Sequence, residues 1–187
     1  YSSITLQPKI GGSLLEFDHD YTSSSVLSSK GKSYGFGGEL TWNFGGKYYT
    51  GLEVMFSTLN SSEGEWKYQS SSVGALKDHE MSLTEYTLIY GWKFGEVFNL
   101  FFGYIIDGEA EYKDNIVAEL GTTFVYSGSL FSYQRGFKVG VEYKLMNLIN
   151  ITAEYKQGYY TSYVVKNSSG GTVYYSPGKN MGDVKIK

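Results

Sequence analysis

The chain has 187 residues, a formal net charge of −3 at pH 7, 24 Gly and 19 Tyr, and only 2 Pro. This length fits one domain, and the mild acidity gives no electrostatic support for nucleic acid as a partner. The absence of Cys excludes disulfides and thiolate chemistry, and the absence of any run of about 18 apolar residues means that no transmembrane helix is predicted.

Alternation of apolar and polar side chains predicts eight β-strands, because successive side chains of a strand point to opposite faces. The clearest example runs from Ser33 to Phe44, where Tyr34, Leu40 and Trp42 belong to an apolar row opposite a row of Gly and polar residues. No segment has a convincing helical pattern. The predicted strands are residues 3–17, 33–44, 48–59, 81–94, 98–112, 129–145, 148–163 and 173–187.

The predicted connections between these strands alternate between two kinds. Tight turns follow Phe44, Phe94 and Leu145, whereas the other connections are long and rich in Ser, Gly, Asn and charged residues. All short turns therefore lie at one end of the sheet, and an even number of strands puts both chain termini at that end. The predicted long loops are residues 18–32, 60–80, 113–128 and 164–172.

Two kinds of antiparallel barrel fit this alternation. In a soluble barrel such as a lipocalin the apolar row faces inward, whereas in a transmembrane barrel it faces lipid. Aromatic residues near both ends of the strands favour two membrane interfaces, and the many Gly in the opposite row leave room in a narrow interior. We therefore predict one domain over residues 1–187, an all-β, eight-stranded antiparallel up-and-down transmembrane β-barrel. The predicted interface residues include Tyr34, Trp42, Trp92 and Tyr143.

Arg135 is the one basic residue in the predicted lipid-facing row, between Tyr133 and Phe137. A cation is costly at the middle of a bilayer and much less so near its interfaces. One interpretation places Arg135 at the outer rim, where it pairs with a lipid phosphate. The alternative is a local bulge that turns its side chain inward.

The row opposite the apolar one carries acids on the second to fifth strands and most of its bases on the sixth and seventh. An eight-stranded barrel is just wide enough for side chains to fill it, and an unpaired buried charge costs several kcal/mol. We therefore predict an ion-pair network across the lumen, with the three acids of strands two to four facing two lysines. The predicted network comprises Glu39, Glu53, Glu85, Lys138, Glu142 and Lys156.

This network has two possible roles. It is either the polar core of a filled barrel or the wall of a lumen that conducts water or ions. Apolar side chains such as Met55, Leu83 and Phe101 share the same row, which favours the filled core.

Asp107, Glu109 and Glu111 are spaced by two on the fifth predicted strand. They would stack on the lumen side near the long-loop end, with carboxylates about 6–7 Å apart along the strand. Such a ladder can attract a hard cation such as calcium, but it can equally be solvated or paired with neighbouring Lys. No further liganding pattern accompanies it, so we predict no specific metal site and no cofactor.

An enzyme is not predicted. Catalysis by Ser or activated water needs a His with an orienting carboxylate, and the only candidates are His19 and His79 in the predicted long loops. Neither is followed two residues later by Ser, as in the outer-membrane lipid A deacylase type. A lipid-modifying barrel enzyme is therefore a distant alternative.

Two predicted long loops contain aromatic residues among polar ones, including Trp66, Tyr68 and Phe124. Exposed apolar residues on loops mark contact surfaces, here for a protein or surface partner. The alternative is that the strands continue beyond the bilayer and that these residues pack against each other.

With these features the chain resembles the small outer-membrane barrels of the OmpA/OmpX type and is also similar in size to the OmpW type. The resemblance covers the whole length and rests on architecture: eight alternating strands, short turns and long polar loops. It implies a bacterial outer membrane, with periplasmic termini, extracellular long loops and contact with outer-membrane lipid, including lipopolysaccharide. It departs from the pattern at its end, which is not aromatic, so we expect that the recorded sequence stops early or that more follows.

The same resemblance implies a non-enzymatic role. The leading hypothesis is a structural, envelope-anchoring or surface-contact protein that acts through its long loops. The alternative, which relatives of the OmpW type suggest, is a narrow channel for ions or for small solutes, including hydrophobic ones.

Overall fold

The structure is a computed structural model that describes residues 3–22, 25–69, 71–118, 123–146, 149–167, 172–175 and 184–186. These residues form one curled sheet of antiparallel, up-and-down strands, which confirms the all-β, up-and-down part of the predicted fold. The strands are β1 Ser3–Thr22, β2 Ser25–Phe44, β3 Tyr48–Tyr68, β4 Ser71–Phe94, β5 Phe98–Ala118, β6 Thr123–Met146, β7 Ile149–Asn167, β8 Thr172–Tyr175 and β9 Val184–Ile186. The described residues include no helix that is long and apolar enough to cross a membrane.

Strands β1 to β7 each pair with the next strand along the chain. At one end of this series β8 and β9 both pair with β7, and β9 also pairs with β1. In these short ladders Ile186 lies opposite both Phe17 and Gly158. The two ends of the curled sheet are therefore joined through β9, over three residues on each side.

Two of the tight turns predicted from the sequence are confirmed. Gly45, Gly46 and Gly95 have φ values of 65°, 72° and 71°, a left-handed conformation that Gly adopts without steric cost. These residues connect β2 to β3 and β4 to β5. The third predicted turn, at residues 146–147, is described only in part, because β6 continues to Met146 and residues 147–148 lie outside the described part of the chain.

The structure differs from the prediction at the long loops. Much of 18–32, 60–80 and 113–128 continues the strands, so that β1 reaches Thr22 and β2 begins at Ser25. Antiparallel backbone groups bond to each other whatever their side chains are, so a ladder in register can run on through a Ser- and Gly-rich sequence. This extension corresponds to the alternative in which the strands continue past the apolar band.

The two faces of the sheet have opposite chemistry over the part whose side chains are described. On β2 the outward Tyr34 and Trp42 are 63% and 53% exposed, whereas Glu39, which points inward between them, is 5% exposed. On β4 the exposed Leu88 lies between the buried Thr87 and Ile89. Apolar side chains thus cover the outside of the curl, and charged and apolar side chains share its inside.

Candidate functional site

The inner rows of β3 and β4 place the charged site between two apolar regions. From the tight turn onward β3 presents Tyr49, Glu53 and Leu59 to the inside, and all three are buried. The buried inward residues of β4 follow the same order from its turn, with Ile89 before Glu85. A period of two puts all of these on one face, so the sequence itself dictates this layering.

Glu53 is the centre of the site and is 2% exposed. Its Oε2 atom lies 2.5 Å from Nζ of Lys9, and its Oε1 atom accepts a hydrogen bond from Nζ of Lys138. Lys9 also lies 2.5 Å from Oε2 of Glu39. One carboxylate therefore joins a lysine of β1 to a lysine of β6, which satisfies both of its oxygens in a buried setting.

Lys156 of β7 makes a second cross-sheet ion pair, with Glu85 of β4. Lys138 has a further acidic neighbour, Glu154, at 3.6 Å. The side chain of Glu154 is 38% exposed, in contrast to 3% for Lys138. The exposure of the charged side chains thus increases from the buried groups near β3 to the solvent-accessible Glu154 on β7.

The predicted network can now be compared with these positions. The structure brings Glu53 to Lys138 and Glu85 to Lys156, whereas Glu39 pairs with Lys9 and not with either predicted lysine. The pairing partner of Lys9 on β2 is Gly37, two residues from Glu39 in the same inward row. From the sequence, the alternation of the first predicted strand already placed Lys9 on the inward face.

Glu142 lies in the same inner row but makes a different contact. Its Oε1 atom accepts a hydrogen bond from Nδ2 of Asn99 at 2.7 Å. Asn99 and Glu142 are direct cross-strand partners on β5 and β6, close to the tight-turn end. Glu142 is therefore held by a neighbouring strand, and within the described residues no ion pair joins it to the lysines of the network.

An apolar cluster closes the inside of the sheet at the tight-turn end. Tyr49, Ile89 and Phe101 contact each other and are 5% or less exposed. The Nζ atoms of Lys9 and Lys138 each lie 5.8 Å from the centroid of the Phe101 ring. These cation–π distances connect the cluster directly to the ion pairs.

Two glycines make this cluster possible. A Cβ atom on Gly91 would lie 2.1 Å from Cζ of Tyr49, and one on Gly140 would lie 2.4 Å from Cζ of Phe101. Such distances are far below van der Waals contact, so any larger residue would displace the rings. The Gly residues in the inner row thus provide room for large aromatic side chains.

A bulge in β5 interrupts the alternation. Ile105 pairs with Thr87 of β4, whereas Asp107 pairs with Tyr86, so Ile106 is an extra residue between the two pairs. Directly opposed residues share a face of the sheet, and Tyr86 is exposed on the outside. One inserted residue therefore moves everything that follows on β5 to the other face.

The predicted lumen position of the acidic ladder is wrong for this reason. Asp107, Glu109 and Glu111 are exposed on the outer face, and it is Gly108 that is buried. The three carboxylates thus mark the point on β5 where the apolar outer face gives way to an acidic one. Among the side chains that the structure describes, no group of three or more His, Asp or Glu is arranged to hold a metal ion.

The predicted interface residues other than Arg135 lie on the outer face. Trp92 and Tyr143 are 37% and 49% exposed, and ring contacts such as Tyr90–Trp92, with centroids 5.1 Å apart, form an aromatic band beside the tight turns. The pairing of β6 with β7 shifts register between Tyr133 and Arg135. The side chain of Arg135 lies outside the described part.

The two histidines do not occupy long loops. The backbone of His19 belongs to β1 opposite Leu27, and that of His79 to β4 opposite Ser61. Their side chains, like that of Trp66, lie outside the part of the structure that is described.

Comparison of the chain with protein-family models, curated protein sequences and solved structures found no match.

Proposed function

We propose that this chain is a non-enzymatic β-barrel protein of a bacterial outer membrane, with an interior blocked by side chains at the tight-turn end and a contact surface at the opposite end. The observation that carries the proposal is the inverted distribution of side chains. Trp42 is 53% exposed on the outside while Glu53 and Lys138 are 2% and 3% exposed on the inside.

This distribution is unfavourable in water and favourable in lipid. In water the hydrophobic effect drives apolar side chains inward, and a continuous outer band of exposed aromatic and aliphatic residues promotes aggregation. In a bilayer the same band is solvated by acyl chains, and charges must turn inward because a Lys or Arg facing lipid at mid-depth costs about 2–4 kcal/mol. The inner ion pairs meet that requirement.

The length of the apolar band fits a membrane. Along β2 the outward row extends from Tyr34 to Phe44, ten residue steps apart, or roughly 33 Å at about 3.3 Å per residue. At a strand tilt of about 40° this corresponds to roughly 25 Å along the membrane normal, the height of the apolar band in outer-membrane barrels. The acids from Asp107 onward then lie beyond the band on β5.

The block at the tight-turn end favours an anchoring and surface-contact role over conduction. Glu53, Lys9 and Lys138 occupy the centre, and the cluster of Tyr49, Ile89 and Phe101 blocks the tight-turn end. The long ends of β3 to β6 extend beyond the apolar band and have sequences rich in polar and aromatic residues. The proposed contacts are outer-membrane lipid, including lipopolysaccharide, and a protein or surface bound by these strand ends.

The membrane position can be tested with the three Trp residues of the chain. Variants that retain only Trp42, only Trp92 or only Trp66, with Phe at the other two positions, are reconstituted into vesicles with brominated acyl chains. We expect the fluorescence of Trp42 and Trp92 to be quenched severalfold more than that of Trp66, which lies ten residues beyond Phe56 on β3. Equal quenching of all three would contradict the proposal.

The contact role can be tested by shortening two hairpins in register. Residues 62–78 are replaced by Asn-Gly so that Ser61 still pairs with His79, and residues 115–125 likewise so that Asp114 still pairs with Tyr126. We expect attachment of cells that display the protein to be lost. Quenching of Trp42 serves as the control for insertion and should be unchanged. Undiminished attachment of the shortened protein would rule out these strand ends as the contact surface.

A further inference from the structure

A groove interrupts the outer face of β2, β3 and β4 at the end of the apolar band that lies away from the tight turns. Its volume is about 450 Å³, which is in the range of sites for small molecules. The outward side chains around it are of two kinds, aromatic rings and short side chains with hydroxyl groups. They are Tyr34, Phe36, Phe56, Thr58, Ser82 and Thr84.

The groove follows from the order of residues along these three strands. Tyr34 lies opposite Thr58, and Thr58 lies opposite Ser82. Directly opposed residues share a face of the sheet, so two short side chains lie beside one large ring. That ring leans the other way, toward β1, since a Cβ atom on Gly12 would lie 3.5 Å from Cδ1 of Tyr34. The outer surface over Thr58 and Ser82 is therefore recessed.

The end of the groove toward the middle of the band is apolar. Phe36 and Phe56 are 65% and 42% exposed, and their ring centroids are 5.5 Å apart. Thr84, which lies opposite Phe56, adds only a short side chain beside them. Two exposed rings next to a recess lose contact with water when an apolar group packs against them. This end of the groove is therefore suited to a hydrocarbon chain.

The other end of the groove is polar, and its charges are unequal on the two sides. On the β2 side Lys32 is exposed and lies opposite Asn60, and no ion pair of Lys32 occurs among the described side chains. Glu80 lies opposite Asn60 on β4, two ladder spacings or about 9–10 Å from Lys32. The exposed Glu109 and Glu111 lie farther away, on β5. An anionic group is therefore favoured on the β2 side alone.

We propose that this groove binds one lipid of the surrounding bilayer that has an anionic phosphate headgroup. The phosphate lies at Lys32, and the ester region that joins head and chain lies over the hydroxyl groups of Thr58 and Ser82. One acyl chain packs against Phe36 and Phe56. This inference rests on the proposed membrane function and adds to it one defined lipid site.

The depth of the groove in the proposed membrane fits this lipid. Tyr34 is at the outer end of the aromatic and aliphatic row of β2, and aromatic rings are favoured at the membrane interface. Lys32 lies two residue steps beyond it, roughly 5 Å farther along the membrane normal at a strand tilt of about 40°. The headgroup region is about 5–8 Å thick on each side of the hydrocarbon core, so this lysine lies at the depth of the phosphates. A charge-assisted hydrogen bond from its Nζ atom to a phosphate oxygen is then possible.

Native mass spectrometry of the full chain tests the site. The protein is released from vesicles that contain equal amounts of phosphatidylglycerol and phosphatidylcholine with the same acyl chains. We expect the unaltered chain to retain one phosphatidylglycerol about fivefold more often than one phosphatidylcholine, as a charge-assisted contact implies. Lys32→Gln should abolish this preference. Ser82→Phe, which fills the groove from the outer face, should remove both lipid adducts.

Two matched variants serve as controls, and both should keep the preference. Lys47→Gln changes the net charge equally but at a tight turn, and Val139→Phe adds the same ring elsewhere on the outer face, on β6. Insertion of every variant is measured in parallel by quenching of Trp42 with brominated acyl chains.

The outcomes separate this inference from the membrane function on which it rests. Quenching of Trp42 without a preference for phosphatidylglycerol would overturn the lipid site and leave the membrane function standing. A preference that survives Lys32→Gln, or adducts that survive Ser82→Phe, would do the same. Absence of quenching would overturn both. A dimer that Ser82→Phe abolishes, with no lipid adduct, would overturn the lipid site in favour of a second copy of the chain.

Discussion

At the scale of single residues, the site is organised around one carboxylate. Glu53 bridges Lys9 and Lys138, and Lys9 in turn contacts Glu39. Burial makes this arrangement strongly dependent on each member, because a buried charge that loses its partner retains its desolvation cost. The exposed pair of Lys30 and Glu16 has no such dependence.

We therefore predict a large difference between two Glu→Gln substitutions. Glu53→Gln leaves two buried lysines without their shared partner and should lower the free energy of unfolding by about 3 kcal/mol. Glu16→Gln, at an exposed pair, should lower it by less than about 1 kcal/mol. Urea unfolding of the reconstituted protein, followed by Tyr and Trp fluorescence, measures both. Similar values for the two variants would show that the bridge does not stabilise the fold.

At the scale of elements, the bulge in β5 decides the chemistry of the outer surface. Without the bulge at Ile106, strict alternation from Ile105 would place the carboxylate of Glu109 on the inner face. With it, Gly108 is buried and Glu109 is exposed. The bulge thus ends the apolar band on β5, because it turns the acidic residues that follow it to the outer face.

Deletion of Ile106 should remove the bulge and leave the residues that follow it on the same faces. In the chain with the bulge, Glu109→Cys should react readily with a water-soluble maleimide and Gly108→Cys slowly. In the deletion variant we expect the same order, because Ile105 and Asp107 then pair in regular succession with Thr87 and Tyr86. Mass spectrometry of labelled protein gives both rates. An inverted order after the deletion would mean that Ile106 is not the extra residue.

At the scale of the whole molecule, the apolar cluster at the tight-turn end predicts that the protein does not conduct ions. We expect the intact protein to produce no steady conductance in planar bilayers, because Tyr49, Ile89 and Phe101 block the tight-turn end beneath the ion pairs. A steady conductance that changes in Glu53→Ala or Lys138→Ala would instead support the narrow channel. The matched control is Lys30→Ala, whose exposed ion pair lies outside the network.

Much of the candidate site could be predicted from the alternation of inward and outward side chains along each strand. The inward position of Glu53, Glu85 and Lys138 follows from alternation, since a period of two is a property of each strand alone. The partner of Glu39 was not predictable in this way, because it depends on how neighbouring strands are staggered. Lys9 reaches it across the β1–β2 ladder, opposite Gly37.

The sequence by itself determined the strand-rich, two-faced character of this protein, its tight turns at Gly45 and Gly95, and the sets of residues that share each face. These are local properties, set by alternation and by the conformational freedom of glycine. Only the tertiary structure decided the outward position of Asp107, the continuation of strands through polar segments, and the pairing of β9 with both β1 and β7. Those features depend on register between strands, which one inserted residue such as Ile106 is enough to change.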